Sequence, residues 1–86
     1  MELKLQLVKR DVAGDIILVP VGDASLKIKG LITLNETASV LWDALPQADG
    51  AEQLADALEN EFDADRETLL RDAEDFLESI RKLGII

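Results

Sequence analysis

Gly30-Leu31-Ile32-Thr33-Leu34-Asn35-Glu36-Thr37-Ala38 is the stretch where the chain changes from one backbone habit to another. Leu31 to Leu34 read as the far end of a strand that bends at Gly30, the residue type that tolerates a bulge or kink. Asn35 then offers a side-chain oxygen that can cap a helix, and Glu36 places negative charge in its first turn. Residues before this stretch carry strand signals, and residues after it carry helix signals.

Working back toward the N-terminus, Leu26 and Ile28 alternate with Lys27 and Lys29, which is expected of the near part of the same third strand. Ile16 to Val19 is a continuous apolar run suited to a second strand, ended by Pro20 and Gly22-Asp23. Ala13-Gly14-Asp15 is a turn signal. Leu3, Leu5 and Leu7 alternate with Lys4 and Gln6, giving a first strand with one buried face.

Working forward, Ala38, Leu41, Trp42 and Leu45 share one helical face, with Trp42 as its core anchor, and Pro46 stops that helix. Asp49-Gly50-Ala51-Glu52 resembles a capping box with Asp49 in the cap, opening a second helix that buries Leu54, Ala55, Leu58 and Phe62. Asp63 or Asp65 caps a third and longest helix running to Leu83, where Gly84 supplies a left-handed stop. That helix has two apolar stripes. Leu69, Ala73, Phe76, Ile80 and Leu83 form one, read as core. Leu70 and Leu77 form the other, which reads either as flank of the core or as the border of a groove. The expected architecture is α+β and winged-helix-like: a three-stranded antiparallel sheet followed by three helices, with residues 1–86 forming a single domain.

Composition narrows the chemistry. The 86 residues include no cysteine, histidine or tyrosine, so thiol chemistry and the commonest general base and metal ligand are absent. The formal net charge of −9 repels a phosphate backbone. No apolar run is long enough to span a bilayer and the N-terminus has no secretory pattern, so the expected location is cytoplasmic. Asp72, Glu74, Asp75 and Glu78 spread around a helix without histidine companions and read as a solvated face rather than a metal site. No serine has a base partner, and no glycine-rich phosphate loop exists. No catalytic residue and no cofactor are expected.

The order of these pieces resembles the PqqD-like family, the RiPP recognition elements. The resemblance rests on Gly30 to Ala38 followed by Leu41-Trp42. Gly14-Asp15-Ile16-Ile17-Leu18-Val19-Pro20-Val21-Gly22 upstream adds to it. So do Asp72-Ala73-Glu74-Asp75-Phe76-Leu77 and Leu83-Gly84-Ile85-Ile86 downstream. It implies a non-catalytic domain that binds the leader of a ribosomally made precursor peptide as an added strand, between the third strand and the third helix. It further implies delivery to a modifying enzyme, such as a radical S-adenosylmethionine protein or a leader peptidase, in pyrroloquinoline quinone synthesis or another peptide pathway.

On this reading the docking edge is Leu26 to Ile28, and the peptide-binding residues are Leu26, Lys27, Ile28, Lys29, Leu70, Ala73 and Leu77. Lys27 and Lys29 have two readings: edge lysines that discourage aggregation, or attraction for acidic groups of the leader. Three alternatives stay open beside it. A winged-helix DNA binder conflicts with the net charge and with a second helix lacking lysine and arginine. An acyl carrier protein needs a serine opening a helix, whereas Ser25 lies in a strand-like stretch and Ser39 and Ser79 inside helices. A generic protein-interaction subunit is compatible with everything above.

Overall fold

Ala13 and Gly14 both adopt left-handed backbone angles, φ 53° and 89°, and so close a two-residue turn between β1 (Leu7–Val12) and β2 (Asp15–Pro20). The Asp11 carboxylate steadies the turn by accepting the Gly14 N–H at 3.1 Å. Strand β2 then pairs on its other side with β3 (Ile32–Leu34), giving an antiparallel sheet in the order β1-β2-β3. The register sets Lys9 against Leu18 and Leu18 against Ile32, with Ile16 against Leu34. The structure is a computed structural model and describes residues 1–86.

A short helix, α1 (Ala24–Lys27), lies between β2 and β3, where the sequence pattern predicts strand. The reason is local. Gly22 turns the chain at φ 58°, Ser25 and Leu26 donate to the carbonyls of Gly22 and Asp23, and Ile28 donates to Ala24 at 2.8 Å. Ala24 and Ile28, four residues apart, are buried on one side while Leu26 is 79% exposed. A single buried pair at that spacing fits a helical turn as well as a strand, and β3 is thereby shortened to three residues.

The alternation at Leu3, Leu5 and Leu7 does mark a buried side: Leu5 and Leu7 are buried and Leu3 is half-buried. Only Leu7 belongs to the sheet. Lys4 instead donates its N–H to the Ile85 carbonyl at 2.6 Å, joining the first residues to the C-terminal tail.

Helix α2 (Glu36–Ala44) starts where the sequence indicates, with the Asn35 side chain accepting the Ala38 N–H at 2.8 Å. Pro46 converts its end into a 3-10 turn, Leu45–Gln47. Helix α3 (Ala51–Glu61) is capped differently from the expectation: Gly50, not Asp49, holds the cap position, and Gln53 reaches back to accept the Asp49 N–H. Helix α4 (Arg66–Lys82) follows Asp65, whose carboxylate accepts the Thr68 hydroxyl at 2.7 Å. That bond holds the Asp65 carboxyl below its ordinary range, with smaller help from backbone bonds and Arg71.

Arg66 fastens α4 to α3. Its guanidinium meets Asp56 at 2.6 Å, Glu59 at 3.0 Å and the Glu52 carbonyl at 3.0 Å, and the two carboxylates raise its pKa. At the far end Gly84, φ 80°, lets the Ile85 N–H return to the Ile80 carbonyl at 3.0 Å. Every buried residue is apolar. Leu18 of the sheet, Leu41 and Leu45 of the middle, Leu54 and Leu58 of α3, and Ile85 of the tail are almost completely enclosed.

Candidate functional site

The sheet has two edge strands, β1 and β3, and the hairpin assigns the main-chain directions of both; β3 is the one that borders a groove. In an antiparallel pair, each strand's N–H and C=O groups point alternately to the two sides. The two-residue turn makes Val12 and Asp15 a hydrogen-bonded pair, and the register carries that pattern to Arg10 with Ile17. Ile16 and Leu18 therefore turn their main-chain groups toward β3, where they meet Leu34 and Ile32. Thr33, between them, directs its N–H and C=O away from the sheet. None of the turn, loop or cap bonds of the protein takes either of them, and the register leaves them unused by β2. Thr33 is exposed. The β3 edge is thus a vacant ladder position centred on one residue.

Beside this edge lies a groove of about 380 Å³. Its floor and walls include Leu18, Ile32 and Leu34 from the sheet, Ala38 and Leu41 from α2, and Phe76, Ile80 and Leu83 from α4. Leu18, Leu34, Leu41 and Ile80 are buried, Phe76 is half-buried, and Leu83 is 41% exposed. Asp72, Asp75 and Ser79 complete the α4 wall. The residues of that wall recur every three or four positions, so they form a continuous strip along one side of α4. The groove can receive an extended chain whose backbone pairs with Thr33 and whose alternate side chains enter the apolar cleft.

The residues singled out from sequence fall elsewhere. Leu26 and Lys27 belong to α1, and Ile28 and Lys29 to the link that follows it, so none of the four is on the strand edge. Ile28 is core, and Leu26, Lys27 and Lys29 are exposed outside the groove lining. Ala73 and Leu77 are buried core residues, and Leu70 is half-buried at a shallow depression near Gly50 and Gln53. The two stripes of α4 exchange part of their roles. Leu69, Ala73, Leu77 and Ile80 are the buried set, whereas Phe76 and Leu83, read as core, border the opening. α3 covers the Leu70–Leu77 side and leaves the Phe76–Leu83 side uncovered. The sequence contains the helical period but not the position of the neighbouring helix. Ile32 and Leu34 lie in the stretch that marks the strand-to-helix change, a few residues beyond the edge that the spacing of Leu26 and Ile28 predicts.

The family model described as coenzyme PQQ synthesis protein D (PqqD) matches residues 16–86. The chain belongs to the PqqD family. The matched span of this PqqD-family chain begins inside β2 and contains the whole groove. A solved structure, TbiB1 in complex with the TbiA(beta) leader peptide, has the same fold with a TM-score of 0.72 at 22% identity. The likeness covers 99% of this chain and 93% of that one, so it includes β1, which the family match leaves out. No curated protein sequence matches the chain.

Proposed function

We propose that this PqqD-family chain is a non-catalytic recognition domain, residues 1–86 acting as one unit. It binds the leader of a ribosomally synthesised precursor peptide by strand addition and delivers it to a modifying enzyme. The observation that carries this reading is the vacant Thr33 edge lying alongside the apolar Phe76–Leu83 groove. Main-chain bonds at the edge supply affinity for any extended peptide, and the groove supplies selectivity among side chains. The similar structure, TbiB1 in complex with a leader peptide, supports the same use of this fold. The family's name points to pyrroloquinoline quinone synthesis or a related peptide pathway; the downstream partner proposed here is a radical S-adenosylmethionine enzyme or a leader peptidase. The cytoplasm, where precursor peptides are made, is the proposed location; no helix is long and apolar enough to cross a membrane.

A short ordered segment spends much of its interaction energy on lost freedom, so a dissociation constant near micromolar, about −8 kcal/mol, is expected. The test is fluorescence anisotropy with labelled synthetic leaders from precursors encoded beside this gene. One leader should bind the protein in that range, and Phe76→Ala should weaken it by roughly tenfold while circular dichroism stays unchanged. Absence of binding by any such leader, or equal affinity for both proteins, counts against the proposal.

A further inference from the structure

Asp72 and Asp75 are the only charged residues lining the groove, and neither carboxylate forms an ion pair or hydrogen bond within the protein. Their basic neighbours on α4 are engaged or turned elsewhere. Arg71 pairs with Glu67 and Lys82 with Glu78, and Arg81 borders a different depression beside Glu74 and Glu78. Asp72 is half-buried, so its unpaired charge is partly withdrawn from water at the lip of an apolar cleft. The two carboxylates are three residues apart, about 4.5 Å along the helix axis. Groove-facing side chains of an added strand are spaced by about 6.6 Å. One long cationic side chain can therefore meet both carboxylates while the next groove-facing residue enters the cleft by Phe76 and Leu83.

Resting on the strand-addition reading, we infer that the groove selects a basic peptide. The bound segment carries lysine or arginine two positions from a large apolar residue, both on the side facing α4. The occupant is thus a cationic, alternating leader segment. An acidic one is disfavoured, because it would bring like charge against Asp72 and Asp75 and against a chain of net charge −9. Lys27 and Lys29, which suggest attraction for acidic groups when read from sequence, lie outside the lining and do not offset this.

The experiment is selection from a displayed library of random decapeptides on the wild-type protein, on Thr33→Pro and on the Asp72→Asn/Asp75→Asn double variant. Retained peptides on the wild type should be enriched in the basic–x–apolar pattern. The double variant should bind a resynthesised winner roughly tenfold more weakly and should select peptides without the basic preference. Enrichment of acidic or uncharged peptides, or an undiminished basic preference on the double variant, overturns the inference. Strand addition stands in either case, provided Thr33→Pro strongly reduces retention. If no peptide is retained, or if Thr33→Pro leaves retention unchanged, the strand-addition reading itself fails and this inference falls with it.

Discussion

Proline at position 33 separates the fold from its proposed use. Pro lacks an N–H, so Thr33→Pro removes the outward donor of the vacant edge, a donor that no part of the sheet uses. Pro is tolerated on an edge strand when its missing donor faces away from the sheet. It also restricts the preceding residue to extended angles, which Ile32 already has as part of β3. The cost to folding should be on the order of 1 kcal/mol, or about 4–8 °C in Tm for a domain of this size. The cost to binding is larger. One ladder bond is lost, worth about 1 kcal/mol net, and the ring projects into the space about 4.8 Å away that the added backbone must occupy. A combined loss of about 2 kcal/mol corresponds to roughly 30-fold weaker binding. Ile32→Pro is the counterpart. It deletes a donor aimed at β2 and a half-buried side chain, and so should damage the fold first, by about 3 kcal/mol. Thermal melts followed by circular dichroism and anisotropy titration with the cognate leader read the two effects. If Thr33→Pro binds as tightly as wild type, or if it unfolds while Ile32→Pro does not, the assignment of main-chain directions along β3 is wrong.

Other consequences concern stability and charge. Ile85→Ala empties a fully enclosed site that joins α4 to the first residues, and should cost about 2–5 kcal/mol, lowering Tm by roughly 10–25 °C; a shift under about 5 °C would contradict its place in the core. Ala13→Asn suits the left-handed turn position better than alanine and should raise Tm by a few degrees, where no change or a loss would refute strain at this turn. Because Asp65 has a lowered carboxyl pKa in the fold, its stabilising effect is present above its unfolded pKa and is lost as pH falls through the folded value. Thr68→Ala should move that pKa back up, as read by carbon-detected NMR titration, and should flatten the acid side of the stability profile. Arg66→Ala should lower Tm in low salt and progressively less as salt is added, since its carboxylate partners are exposed; a salt-independent loss would mean that packing, not charge, joins α4 to α3.

Much of the fold was legible because local chemistry and tertiary structure agree at the decisive places. Asn35 caps α2, Pro46 ends it, Gly84 stops α4, and the apolar run at Ile16–Val19 forms the central strand. The reading failed where a short pattern had two solutions. Leu26 and Ile28 fit a strand by spacing, but Ala24 and Ile28 fit a helical turn, and tertiary burial of the second pair prevailed. The site was half legible for a related reason. The idea of a sheet edge against the last helix could be formed from sequence and family resemblance. Which strip of α4 stays open depends on where α3 lies against it, and residue periodicity has no access to that. Phe76 therefore read as core although it borders the groove, and Leu77 read as a groove residue although it is buried.

Amide hydrogen exchange at Thr33, followed residue by residue by NMR with and without the cognate leader, tests the vacant edge most directly. The Thr33 N–H should exchange freely in the protein alone and become strongly protected in the complex, while the Ile32 and Leu34 amides, already paired with β2, change little. A leader that binds tightly while the Thr33 amide keeps exchanging at its free rate would show that peptides are held somewhere other than this edge.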